Sequence, residues 1–178
     1  LSVYGMIVKV YQISHSMFVG VSSAIQPING FNYGAKNYKR VHDCYKLAAK
    51  TALTISTLWF IIFMVFPKFI GSLFVSDDLI YLDCTKHFFR IYMGAFFLYG
   101  IHMTTSSFFQ GIGKPKRALL IPLSRQALFL IPLSLILSSR FGLYGALLAV
   151  PIADILVFIV SILLIKSEFN SWRKNSLL

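Results

Sequence analysis

Carboxylates are scarce in this sequence. Six Asp and Glu stand against seventeen Lys and Arg, and residues of both charges make up only 13% of the chain. That shortage removes the clustered acids on which most acid–base enzymes depend, and no activated serine or histidine ligand set at depth replaces them, so no enzyme is expected. Cysteine is nearly absent too. Cys44 and Cys84 fall on opposite sides of a bilayer in the topology argued below, about 30 Å apart and beyond the reach of a disulfide. No His or Cys spacing makes a metal site, so no metal is expected. Polar surface is also lacking: the chain is 57% hydrophobic and 16% aromatic, with a mean hydropathy of +0.72. Such a composition cannot coat a soluble globule, and it calls for lipid or partner helices.

What is present is a set of long apolar runs. Windows able to cross about 30 Å of hydrocarbon occur at Val3 to Ile25, Leu47 to Phe66, Phe88 to Phe109, Ala118 to Leu137 and Phe141 to Ile165. These predict an all-α, polytopic membrane bundle of five helices. With the loop after the first helix in the cytoplasm, eleven cations, from Lys36, Lys39 and Arg40 to Arg173 and Lys174, lie inside. Only Lys68, Lys86, Arg90 and Arg140 lie outside. The excess of inner cations places the N-terminus outside and the C-terminus in the cytoplasm. It also accounts for the net charge of +11 without a nucleic-acid partner. Leu1 is not a start methionine and the chain enters a span almost at once, so it reads as the back part of a longer protein.

The segment QPINGFNYGAKNYKRV, Gln26 to Val41, combines a helix end, glycines and a basic cluster. Pro27, Gly30 and Gly34 predict that the first span stops near Ile25 and that an inner turn follows. Asn32 and Tyr33 are then available to hydrogen-bond neighbouring loops. A second inner loop, GIGKPKR from Gly111 to Arg117, has the same ingredients and suits anionic headgroups.

Polar residues within the spans must face a cavity or another helix. Asp154 is the only acid in any predicted span, roughly 16 Å above the inner end of the last helix. Arg125 rises roughly 10 Å from the inner end of the preceding one and can reach it. The pair is a candidate salt bridge, read either as a structural clamp or as an ion-coupling site. Tyr92, Phe96, Tyr99, Met103, Ser106 and Gln110 fall on one face of the third span, with His102 and Thr105 beside it. Gln12, Ser16, Gly20, Ser23 and Pro27 form a stripe on the first. These residues either line a substrate cavity for flat cations or let helices approach closely. Pro122, Pro132 and Pro151 predict bends in the last two spans.

Five segments occur in one order: QPINGFNYGAKNYKRV, LFVSDD at Leu73 to Asp78, FFQGIGKPKRAL at Phe108 to Leu119, SRQALFLIPL at Ser124 to Leu133, and FGLYGALLAVPIAD at Phe141 to Asp154. Together they resemble the second half of the multidrug and toxic compound extrusion (MATE) transporters, in particular the bacterial MepA-like branch. The resemblance covers nearly the whole chain. It implies part of the second six-helix lobe of a twelve-helix exporter, partnered by an N-terminal lobe of the same transporter in a bacterial plasma membrane. It further implies export of cationic or amphipathic drugs by alternating access, with H+ or Na+ as the coupling ion and no bound cofactor. The absence of an acid in the third span inclines the coupling towards protons. A related lipid-linked oligosaccharide flippase, for which only Lys9 and Arg125 offer buried positive charge, and a non-functional remnant remain open alternatives.

Overall fold

The computed structural model describes residues 2–74, 79–175 and 177. The last four residues of the LFVSDD segment, Val75 to Asp78, lie outside the described residues. Helix α1 runs over Ser2–Gly34 and α2 over Tyr38–Val65. A short α3 (Pro67–Ser72) and α4 (Leu79–Tyr92) lead through a 3-10 turn, Phe96–Leu98, into α5 (Tyr99–Gly111). Then follow α6 (Pro115–Leu123), a π-helical segment (Ser124–Leu130) and α7 (Ile131–Lys174).

The first span does not stop at Ile25. Helix α1 continues through Pro27 and Gly30 to Gly34, and the turn comes afterwards, where Lys36 takes φ 59° and the Asn37 side chain accepts the Arg40 amide at 3.3 Å. Packing overrides the helix-breaking residues. A Cβ on Gly30 would stand 3.1 Å from Gly111 O, and one on Gly111 2.9 Å from Gln26 O. These glycines are close-approach points between α1 and α5, as small residues are between membrane helices, and not turn residues. Gln26 Nε2 donates to Gln110 Oε1 at 3.0 Å across the same crossing. The side chains of Asn32 and Tyr33 make no hydrogen bond to a neighbouring loop among the described residues: the Asn32 amide donates to Ile28 O in its own helix at 2.7 Å, and Tyr33 packs its ring against Tyr38 and Trp172, while their carbonyls accept from Asn37 and Lys36 in the turn.

The third span is likewise not one helix. It breaks between Tyr92 and Phe96, and Ser56 Oγ on α2 donates to Phe97 O at 2.7 Å just past the break. Gly100 fits so closely on α2 that a Cβ would lie 2.6 Å from Ala52 O. Near the other end of α2, Arg90 donates to Met64 O at 3.0 and 3.3 Å.

Helix α7 breaks at Gly142 (φ 58°, ψ −136°), where the chain reverses and the two expected spans form an antiparallel hairpin. A Cβ on Gly145 would lie 2.0 Å from Leu137 O across the turn.

Among the described residues, Tyr38–Val65 and Pro115–Lys174 are long and apolar enough to cross a membrane, the latter holding both arms of the hairpin. These stretches cover three of the five expected windows. Helix α1 has the length but is not apolar enough, because Lys9, Gln12 and His15 interrupt its apolar run; α4 and α5 are short because of the break between them.

Two aromatic-rich clusters form the core. Phe18, Phe63, Phe89 and Phe96 are at the heart of one, while Tyr45, Phe108, Phe109 and Trp172 gather the ends of α1, α5 and α7 and the start of α2 in the other. Outside them, large apolar side chains such as Leu53, Leu58, Ile61, Leu128 and Leu163 remain exposed, as suits a surface facing lipid or partner helices.

Candidate functional site

Pro122 supplies no amide hydrogen, so the carbonyl of Ala118, four residues earlier, loses its helical partner. Ser106 Oγ on α5 donates to that carbonyl at 2.9 Å. Two residues further on the helix widens into the π-segment, a local distortion that recurs at functional sites. Arg125 lies in this widened stretch. Its Nε donates to Asp154 Oδ1 at 2.7 Å and its Nη2 to Tyr11 Oη at 2.8 Å. Asp154 is buried, with 1% of its surface exposed, so its charge survives only because a guanidinium neutralises it. The two residues predicted to meet across the last two spans do meet.

Beside Arg125 lies a cavity of about 260 Å³, lined by His15, Tyr99, His102, Met103, Ser106, Ile121, Pro122, Arg125 and Gln126. His15 Nδ1 and Tyr99 Oη are 2.6 Å apart. His102 is buried, and its Nε2 has no hydrogen-bond partner among the described residues. The guanidinium of Arg125 lies over the rings of Tyr11, at 5.9 Å, and Tyr99, at 5.6 Å. Two ring faces suited to a drug cation therefore already carry a cation of the protein itself.

A second, larger cavity of about 570 Å³ lies beside the hairpin, lined by Tyr4, Phe88, Tyr92, Leu130 and Leu147, with Gln126 on the wall of both cavities. Tyr92 thus stands with the larger cavity, while Tyr99, His102, Met103 and Ser106 stand with the smaller one. Gln110 is drawn away from both by Gln26. Gln12 and Ser16 are exposed on α1 outside the smaller cavity, and the Ser16 hydroxyl donates to Ile13 O at 2.7 Å. Pro27 and Gly34 belong to the C-terminal end of α1. No metal-ligating group of three or more His, Cys, Asp or Glu occurs among the described residues.

Sequence reasoning missed Tyr11 and Glu168. The spacing of Tyr11 four residues before His15 was the available signal, since it places both on one helix face. Glu168 lies beyond the last predicted span, where an acid among Lys166, Arg173 and Lys174 reads as surface. It is nevertheless buried, held by Lys114 and Arg117 at the start of α6 and by Trp172 Nε1 at 2.7 Å.

An all-helical bundle with apolar outer faces and a buried, neutralised ion pair between two arms of a hairpin defines a polytopic membrane helix bundle. The chain belongs to the MatE family, whose sequence profile matches residues 1–136. It is 28% identical over 139 residues to a FAD transporter of Shewanella oneidensis, an alignment covering 78% of this chain and 30% of that protein. To the multidrug export protein MepA of Staphylococcus haemolyticus it is 23% identical over 167 residues, covering 94% of this chain and 36% of the relative. The solved structure of the MATE multidrug transporter DinF-BH superposes with a TM-score of 0.85 at 37% identity, covering 93% of this chain and 37% of that one. The chain therefore spans about a third of the length of these relatives, from 30% to 37%.

Proposed function

We propose that this chain forms most of one lobe of a secondary active exporter of amphipathic drugs in a bacterial plasma membrane, completed by an N-terminal lobe of the same transporter. The observation that carries this reading is the Arg125–Asp154 pair, which joins the two arms of a membrane hairpin at the wall of a cavity. A buried acid beside a cavity can exchange an ion, and its pairing with a cation on the opposing arm makes the hairpin responsive to that exchange. H+ or Na+ antiport with alternating access is the corresponding mechanism, with Pro151 one turn before Asp154 as the point where the helix bends. Tyr4, Phe88 and Tyr92 in the larger cavity suit the flat ring system of a cationic or neutral drug. The names of the relatives, which include multidrug export, agree with this substrate class.

Orientation follows from the cations: the N-terminus of this segment outside, its C-terminus in the cytoplasm. The lipid-linked sugar alternative is disfavoured because Lys9 is exposed outside the smaller cavity, leaving Arg125 as the only Lys or Arg on its wall among the described residues. The test is efflux of ethidium by the full-length transporter in vesicles, with sodium and pH gradients imposed separately. Asp154→Asn is expected to abolish the response to one of the two gradients. Undiminished, gradient-dependent efflux would rule the coupling role out.

A further inference from the structure

The segment GIGKPKR offers less free charge than its sequence promises, because Lys114 and Arg117 both donate to the buried Glu168. Uncommitted cations lie on another side of α7. Lys166, Phe169, Asn170 and Arg173 recur at helical spacing and form one wall of a groove of about 400 Å³, whose other wall is His42, Tyr45 and Lys46 near the start of α2. Ring packing sets its floor. Phe108 of α5 packs against both walls, with ring centroids 5.0 Å from Tyr45 and 5.7 Å from Phe169, and Phe169 meets His42 at 4.6 Å. The Tyr45 hydroxyl is occupied at 2.9 Å by Thr105 Oγ1, so this floor is apolar. Lys46, Lys166 and Arg173 are exposed and form no ion pair among the described residues. Their aliphatic stems border the groove while their charged heads reach the water at its rim. Of the acids nearby, Glu168 is already neutralised, and Asp43, off the wall, has its Oδ1 3.4 Å from His42 Nδ1.

We infer that this groove seats the headgroup of an anionic phospholipid. Basic pockets between spans at the cytoplasmic face are where such headgroups bind, and in the orientation proposed above the start of α2 and the end of α7 lie at that face. The combination of an apolar floor with a cationic rim fits an amphipathic ligand. A free phosphate would meet the cations but leave the rings uncovered. Exposed apolar side chains continue from the groove towards the middle of the spans: Leu53 stands two turns beyond Lys46 on α2, and Leu163 and Ile159 stand one and two turns before Lys166 on α7. Acyl chains of a seated lipid lie along them. The phosphate then bridges Lys46 on one helix to Lys166 and Arg173 on the other, bracing the end of α7 against α2. This goes beyond the exporter reading and depends on neither the exported substrate nor the coupling ion.

Native mass spectrometry of the purified full-length transporter, titrated with phosphatidylglycerol, phosphatidylcholine and inorganic phosphate, tests this. Phosphatidylglycerol is expected to bind more tightly than phosphatidylcholine, whose phosphate carries its own compensating cation. Lys166→Gln should weaken phosphatidylglycerol about fivefold, and Lys166→Gln with Arg173→Gln about thirtyfold, the scale of one and two interfacial cations. Asn170→Trp fills the groove at constant charge and should weaken it as much as Lys166→Gln does. Lys116→Gln removes the same charge from GIGKPKR and should leave it unchanged. All four positions are exposed, so the variants are expected to fold. Equal affinity for the two lipids, equal loss in Lys116→Gln and Lys166→Gln, or no loss in Asn170→Trp reduces the attraction to net charge and overturns the inference. Displacement of phosphatidylglycerol by inorganic phosphate overturns it too, making a free anion the ligand. Ethidium efflux by the same parent protein is read separately and decides the exporter reading alone.

Discussion

Arg125 and Asp154 are 29 residues apart in sequence, yet Nε and Oδ1 meet at 2.7 Å across the hairpin that turns at Gly142. Removing one member leaves a buried charge alone, which costs about 3–5 kcal/mol, whereas replacing both by apolar groups of similar volume is close to neutral. Asp154→Leu should therefore lower the thermal unfolding temperature of the purified full-length transporter, and Arg125→Met with Asp154→Leu should restore most of it. If the pair also couples transport, the double variant will be stable but will not pump. A double variant as unstable as the single one would show that the ion pair is not what Asp154 contributes.

Ser106 and Pro122 form a second coupled pair. Ser106→Ala leaves the Ala118 carbonyl without a partner and should cost about 1–3 kcal/mol. In a Pro122→Ala background the helix regains its own donor, so the same change should cost less. A double-mutant cycle on thermal stability checks this, with a coupling energy of at least about 0.5 kcal/mol expected.

Glycines divide by what lies next to them. Gly100→Ala forces a Cβ to 2.6 Å from Ala52 O, and Gly145→Ala to 2.0 Å from Leu137 O, so both should destabilise the protein markedly. Gly20 has open space around it, and Gly20→Ala should stabilise α1 by about 0.5–1 kcal/mol through the unfolded chain. Unfolding temperatures of the three variants should rank Gly20→Ala highest, and any other order contradicts the packing described.

Glu168 ties the start of α6 to the end of α7. Glu168→Ala should free Lys114, Arg117 and the indole N–H of Trp172 together. Limited proteolysis is then expected to cut within the last turns of α7 faster than in the parent. Glu168→Gln, which retains an acceptor for Trp172, should give an intermediate rate. Equal protection in all three proteins would show that the ring cluster of Tyr33, Tyr38, Phe169 and Trp172 holds this end without the charges.

The Arg125–Asp154 meeting was legible in the sequence because a lone acid and a lone arginine within apolar runs have few ways to survive other than by pairing. The helix that ends at Gly34 and the break at Met93 to Ala95 were not. Pro27, Gly30 and Gly34 carry a local preference for ending a helix, but the energy that decides their conformation comes from α5, where Gly111 lets the backbones approach. The run from Phe88 to Phe109 is apolar for most of its length, and its break depends on a carbonyl accepting from Ser56, 41 residues away. Glu168 was hidden for the same reason: its partners Lys114 and Arg117, at the start of α6, are 54 and 51 residues away.

Composition and the spacing of apolar runs determined that this is an all-helical membrane bundle, because a chain with so few charges must satisfy its backbone within its own helices. The motif order determined the family. Only the tertiary structure decided what the polar residues do, since a helix periodicity places side chains on a face but does not say what that face meets. It gave Tyr11 and Tyr99 to Arg125, set Tyr92 on one cavity and Tyr99, His102 and Met103 on another, and buried His102 Nε2 without a partner among the described residues.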